Sequence, residues 1–547
     1  MPAGIGAGFV VATVLVDGQA IDSTIALIAI DVMRAVNRVP VALVTVQAPG
    51  SLLGETLLMA GGPFKLASQV EVSLRSTDNQ DVKIFKGLVT ALDVFTRGGA
   101  LVLSVTIKDK AVALTGARHS KIWTDSTDSD AISNLISGAS LSAGDIPSTQ
   151  PTHKVLVQYE STDWDFILSR ADAQGLLVVA LDGSVSLKKM DPSGEATLAV
   201  KRGIDDVRDL HFEVDATTQM ASLTSLAWDP NQLQPAPPSA ANDLSLPQGN
   251  IAGSSVGDGL GFGAYHITHM VPLESDEAKT WASSRVARAR LALIRGRVSV
   301  GGVPGIGVMD VVSLSGFGDK FNGNVLVTGV RHRVDSNGFT TDLQFGLAPE
   351  PVGRLPDIAD MMSGGLLPPA AGLQVGTVID NADPDKQGRV KVSIPAIATD
   401  QTASIWARVA APDAGKGRGF LFMPEAGDEV IVSFLNHDPR FPVVLGKLHG
   451  AKNTLPDDFQ DDKKKGIVTA KGTKIVFAEA DSPSITISTP GERIITMDDK
   501  TGKIIVQDKN KNTITLDSNG ITIESGKDLT LKASGNVKVS GSAIDLN

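Results

Sequence analysis

From Lys474 onward, apolar side chains come in pairs two residues apart, each pair set among polar residues and glycines. The pairs are Ile475/Phe477, Ile485/Ile487, Ile495/Met497, Ile504/Val506, Ile514/Leu516, Ile521/Ile523, Leu529/Leu531, Val537/Val539 and Ile544/Leu546. Residues two apart share one face of an extended chain, so each pair predicts a short strand with one apolar face. Successive pairs begin 10, 10, 9 and 10 residues apart, then 7, 8, 8 and 7. Burying one such side chain stabilises by roughly 1.5 to 3 kcal/mol, while ordering each residue costs roughly 1 to 2 kcal/mol of backbone entropy. Two apolar residues per repeat therefore need burial from outside the strand.

A single-chain β-helix uses roughly 20 residues per coil, so a repeat of eight supplies one side of a triangular coil and three identical chains complete it. The expectation for 467–547 is an intertwined triple-stranded β-helix formed by a trimer, with the paired residues on a common axis and no free edges. A flat strand array is the alternative. Glycines at Gly520, Gly526, Gly535 and Gly541 suit the corners of the rod.

Upstream, "VALVTVQ" (Val41–Gln47) and "GALVLSVTIKD" (Gly99–Asp109) read as strands. Thr127–Ala139 and Ser161–Gly175 read as helices, opening on Ser/Thr/Asp caps, the second stopping at glycine. A third helix is expected over Ser275–Ile294, acidic at its start (Asp276, Glu277) and basic toward its end (Arg288, Arg290, Arg295), which suits the helix dipole better than a basic binding surface. The stretch 231–263 is rich in Pro, Ser, Gly and Asn and reads as a long exposed loop. "SGGLLPPAAG" reads as a linker. After it, "GRVKVSIP", "ASIWARVAAP", "GFLFMP", "DEVIVSFL" and "PVVLGKL" predict a small barrel of about five strands of the OB type. The division is 1–362, mainly β with α+β character; 363–372, linker; 373–450, barrel; 451–466, connector; and 467–547, needle.

Length and composition narrow the class. A chain of 547 residues with 42% hydrophobic content has room for several cored domains. The formal charge of -11 argues against nucleic acid as a partner. There is no cysteine, which excludes disulfides and thiolate chemistry. The apolar start lacks the basic flank of a secretory signal, and Phe9–Val16 reads instead as a buried strand. No apolar run is long enough for a spanning helix.

"GSSVG" (Gly253–Gly257) matches a nucleophile-elbow pattern, but Ser255 lies in an expected loop without the required strand and helix. His266 and His269 in "HITH" lack a third metal ligand. "DPDKQG" (Asp383–Gly388) imitates a calcium loop but has Ile394 where a bidentate glutamate belongs, so a hairpin turn is expected. "GKGRG" (Gly415–Gly419) lacks P-loop spacing and also reads as a turn. No catalytic residue, cofactor or metal is assigned.

The order of these parts resembles the spike of contractile injection machines, namely VgrG proteins of type VI secretion, the hub-spike of extracellular phage-tail-like particles, and phage baseplate hubs and spikes. The resemblance rests on Lys108–Ile136, His153–Val178, Asp310–His332 and, in the barrel, "GTVIDNADPDKQGRVKVSIP" and "MPEAGDEVIVSFLNHDPRFPVVLGKLHG". It implies paired hub barrels, a homotrimer, hexameric inner-tube and baseplate proteins at the hub, and a PAAR-type tip protein. The seat of that tip is expected at Ser542, Ala543, Ile544, Asp545, Leu546 and Asn547. The chain would be assembled in a bacterial cytoplasm and act at a target envelope, with transient membrane contact. The absence of an effector domain after "SAIDLN" leans toward the extracellular particles. The segment 451–466 is too short for an inserted lysozyme domain. A non-enzymatic spike is expected, the alternative being a cell-envelope hydrolase carried on this fold.

Overall fold

The computed structural model describes residues 11–546 apart from 49, 51, 76–79, 270, 359, 398–402 and 461. The chain forms two compact units, Met1–Met361 and Met362–Asn547. Phe9 and Val10 of the predicted first strand lie outside the described residues; the strand itself runs over Val11–Val16, with Val14 and Val16 buried.

Alternation of apolar and polar residues builds the first unit around a thirteen-stranded sheet. Its path runs from Val207–Val214 through Ile294–Gly301, Gly338–Phe345, Gly323–Asp335, Ala26–Ala35, Val41–Gln47, Ala100–Lys108, Asp81–Arg97 and Gln69–Arg75 to Val11–Val16 and Gln19–Ala20. In Val41–Gln47 every second residue, Ala42, Val44 and Val46, is fully buried, as a half-buried strand requires. Two apolar cores sit along this sheet. One gathers Ile30, Val44, Val72, Leu103 and their neighbours, the other Val200, Val298, Val312, Val327 and theirs. Where paired barrels were expected, the described residues form two cores on one continuous sheet, without a closed barrel. The thirteen-residue strand Gly323–Asp335 joins the halves by pairing with Ala26–Ala35, and Arg331 Nε donates to Asp31 Oδ1 at 2.7 Å across that seam.

A third core packs two helices, Asp128–Gly138 and Asp163–Ala173, against short strands. Both are capped as expected: Thr127 and Thr162 each accept a hydrogen bond at 3.1 Å from the backbone N–H three residues on. Gly175, at φ +69°, follows the second.

The third helix, Ser275–Leu293, has the expected acidic first turn, Asp276 and Glu277, and Arg290 in its last turn, and its buried arginines form no basic surface. Arg288 and Arg290 are buried rather than aimed at a solvent-facing helix end. Arg288 pairs with Asp172, Nε to Oδ1 at 3.1 Å. Arg290 donates to Asp243 at 2.7 Å, to Gln219 at 3.1 Å and to the Met220 carbonyl at 3.0 Å. Their guanidinium forks tie three separate segments to the helix, so partner geometry rather than the macrodipole fixes them. Within the stretch read as one loop, Gly253–Gly259 is helical, and its Gly253 and Gly257 are buried. A Cβ at Gly257 would come within 2.6 Å of the Met220 backbone, so close approach accounts for that glycine.

In the second unit the strands Gln374–Asp380, Val390–Ser393, Ile405–Val409, Pro442–Lys447 and Glu429–Phe434 close into a barrel in that order. Val378, Val390, Val392, Ala407, Val430, Val432 and Val444 fill it. "GFLFMP" is not one of the five staves: the strand before "DPDKQG" takes that place, and Phe420–Phe422 stand outside the ladder, exposed. Part of the expected linker is seated, since Ser363 is buried and donates to the His437 carbonyl at 3.0 Å.

Beyond the barrel, seven strands form one antiparallel ladder: Lys464–Val468, Lys474–Ala478, Ser484–Thr489, Arg493–Asp498, Lys503–Gln507, Thr513–Asp517 and Gly520–Glu524. The ladder begins inside the expected connector, because Lys464–Val468 pairs with Lys474–Ala478. Over this span the chain makes its strand pairs with itself. Repeats of nine or ten residues leave enough chain for a strand and a hairpin turn.

Candidate trimerisation stripe

Cross-strand register brings the predicted pairs together. Ile475 faces Ile487, and Phe477 faces Ile485. Those two isoleucines face Ile495 and Met497, which in turn face Val506 and Ile504. The series continues to Ile514 and Leu516, then to Ile523 and Ile521. Directly opposed residues share a sheet face, so these side chains form a two-column apolar stripe. Ile467, which pair counting missed, lies opposite Ile475 and extends the stripe by one strand. The residues two positions away from it, Lys465 and Thr469, are polar, so it forms no pair in the sequence.

The opposite face carries a matching column of Val476, Thr486, Thr496, Ile505, Thr515 and Thr522. The stripe is open: Phe477 is 42% exposed and Ile521 70% exposed. A contiguous apolar face on this scale exceeds what a monomer ordinarily shows to water.

Turn chemistry sets the register. Asp498 accepts from the backbone N–H of Lys500, Asp508 from those of Asn510 and Asn512, and Asp517 from that of Asn519, at 2.8, 2.8, 3.1 and 2.8 Å. These Asx turns close the hairpins. Burial opposes ionisation of Asp508, but the hydrogen bonds from Asn512 and Asn510 outweigh it and hold the carboxyl below the usual range. Of the expected corner glycines, Gly520 has the positive φ, +121°, while Gly526, Gly535 and Gly541 do not.

After Glu524 the ladder stops. Leu529, Leu531, Val537, Val539, Ile544 and Leu546 keep the pair pattern without strand pairing, and Leu546 is 92% exposed. The seven-residue step from Ile514 to Ile521 still closes a hairpin, and the pairing ends one repeat later. Of the expected tip seat, Ser542–Leu546 belong to this unpaired segment, and Asn547 lies outside the described residues.

The remaining motifs separate. Ser255 is exposed on the helix Gly253–Gly259, which no strand directly precedes. His266 bonds Thr224 through its ring, while His269 packs edge-on against Trp281, with centroids 6.3 Å apart. Among the described residues no group of three His, Cys, Asp or Glu side chains is placed to hold a metal. "DPDKQG" is a turn organised by Asp383, which accepts from the N–H groups of Asp385, Gln387 and Arg389. The Arg389 guanidinium first, then those N–H groups, holds Asp383 far below the ordinary carboxylate range. "GKGRG" is the turn between two-residue strands at Ala414–Gly415 and Arg418–Gly419.

Comparisons with known proteins bear on each part. A family model for the Alg8 N-terminal domain matches residues 6–336, more than half of the chain. One for the type VI secretion system/phage-baseplate injector OB domain matches 374–449, and one for the phage baseplate V C-terminal trimerisation domain matches 484–547. The type VI secretion system spike protein VgrG1a of Pseudomonas aeruginosa is 30% identical over 215 residues, 37% of this chain and 33% of that protein. VgrG1b of the same organism is 28% identical over 228 residues, 37% of this chain and 29% of its own length. The chain therefore spans about a third of these relatives. An actin cross-linking toxin, VgrG1 of Vibrio cholerae, is 38% identical over 87 residues, 8% of its length. Among solved structures, a prophage MuSo2 43 kDa tail protein from Shewanella oneidensis aligns over 62% of this chain and 98% of its own, at 10% identity and a TM-score of 0.47. The parts together define a baseplate-type spike. The chain belongs to the VgrG-like hub-spike proteins, with an N-terminal half of the Alg8 family.

Proposed function

We propose that the protein is the homotrimeric central spike of a contractile injection particle. The in-register stripe carries this reading: it lies on a ladder too thin to bury its own apolar face, and most of it falls in the segment that matches a trimerisation domain. Three ladders turned inward bury all three stripes around one axis and leave the opposite columns, mostly threonine, to water. Below Glu524, where the chain has no ladder of its own, strands from the three copies wind around each other and supply the missing pairs.

In this reading the hub unit caps a hexameric inner tube and joins the baseplate, while the rod is driven through a target envelope. The stiff rod, not a turnover site, does the work. Ser542–Asn547 seat a PAAR-type tip protein on the exposed Ile544/Leu546 pair. Assembly takes place in the bacterial cytoplasm and action outside the cell.

Light scattering on the purified full chain tests the trimer; a folded monomer at every concentration would end this reading. Deleting Ser542–Asn547 should abolish recovery of a tip protein in a pull-down while the trimer persists. Equal recovery with and without those residues would remove the proposed seat.

A further inference from the structure

The barrel carries an apolar surface that neither its core nor the stripe uses. Phe420, Leu421 and Phe422 are 48, 73 and 48% exposed, and the two phenyl rings lie 4.8 Å apart. The loop is held rather than loose. Phe420 N–H donates to the Asp413 carbonyl at 2.9 Å, and Asn381 Nδ2 donates to the Pro424 carbonyl at 3.1 Å. Met423 meanwhile packs into the barrel core, so the three neighbours are presented outward.

The position of the loop identifies its occupant. Pro424 and Asp428 lie beside Asn381 and Val378, at the end of Gln374–Asp380, and Leu448 N–H bonds Glu429 at that same end. There the chain leaves the barrel for the ladder, so the loop sits where the rod begins. Its exposed side chains amount to roughly 300 Å², well below the roughly 800 Å² per partner of a free-standing interface. A patch of that size adds to an association already held elsewhere.

We propose that Phe420, Leu421 and Phe422 pack against a neighbouring copy of this chain, forming an apolar collar at the base of the trimeric rod. The inference rests on the trimer reading above. Replacing all three residues with serine in the full chain should leave a folded trimer that dissociates on dilution or in guanidinium at least about tenfold more readily, since each copy loses apolar burial at the contact. Leu233→Ser, at an exposed hub leucine, serves as the control and should change nothing.

Because the chain has no cysteine, Leu421→Cys introduces a unique thiol, which should react with maleimide slowly in the trimer and fast after dissociation. Fast labelling within an intact trimer, or unchanged dissociation of the triple variant, would overturn the collar and leave the trimer reading standing. Fast labelling that phosphatidylglycerol vesicles suppress would overturn it in favour of a lipid surface. A wild-type monomer would remove the trimer reading and the collar with it.

Discussion

Ile523 and Thr522 are adjacent on one strand and belong to opposite faces, Ile523 in the stripe opposite Ile514 and Thr522 in the threonine column opposite Thr515. Ile523→Asp would place three carboxylates at one level of the proposed trimer axis, and a buried charge without a partner costs ~3–5 kcal/mol before mutual repulsion. Sedimentation should show loss of the trimer. Thr522→Asp should be nearly silent, and equal loss in both variants would mean the stripe is not the buried face. His332 is fully buried in the first unit. Burial first, and nearby Arg34 second, lower its pKa to about 3. Its Nδ1 lies 3.1 Å from Thr341 Oγ1, and Nε2 has no hydrogen-bond partner. The native imidazole stays neutral while the unfolded one takes up a proton below its ordinary pKa of about 6.5. Stability from this group is therefore full above pH 6.5 and falls as pH drops toward 3, at up to about 1.4 kcal/mol per pH unit. Hub melting followed from pH 7 to 5 should show this slope, and His332→Phe should flatten it; an unchanged slope would assign the effect to other groups.

At the scale of elements, period and punctuation decided what could be read in advance. A two-residue repeat tells which face a side chain occupies, so the stripe residues and the barrel staves "GRVKVSIP" and "DEVIVSFL" were legible. It does not name the partner strand, which is why self-pairing through Glu524 was not foreseen. Loop composition misled at Gly253–Gly259, where glycines permit a close pass by Met220 and still form a helix. Charge position did not reveal what Arg288 and Arg290 bind, because their partners Asp172 and Asp243 are distant in sequence. That same distance makes Asp172 a sensitive position. Its Oδ1 accepts from Arg288, and its Oδ2 accepts from the Val352 N–H at 3.2 Å. Asp172→Ala would leave a buried guanidinium uncompensated and should cost the hub about 3–5 kcal/mol. Asp172→Asn keeps hydrogen-bonding capacity and should cost less. Chemical denaturation of the two variants checks the order, and equal cost would mean the charge is not what matters.

For the whole molecule, the proposed trimer makes its own prediction through the kind of force that would join the copies. The stripe and the collar contain no ionisable side chain, and the formal charge of -11 gives the copies a net mutual repulsion. Salt at about 1 M shortens the screening length to roughly 3 Å, which weakens ion pairs and also weakens that repulsion. Sulfate strengthens apolar burial by exclusion from protein surface. The trimer should therefore survive concentrated sodium chloride unchanged or slightly tightened, and ammonium sulfate should raise the guanidinium concentration at which it dissociates. An association built on surface ion pairs such as Lys465–Glu479 and Lys503–Asp517, which stay within one ladder, would behave oppositely. Sedimentation in a chloride series decides between them: dissociation by sodium chloride alone would show that charge, not the apolar stripe, holds the copies together.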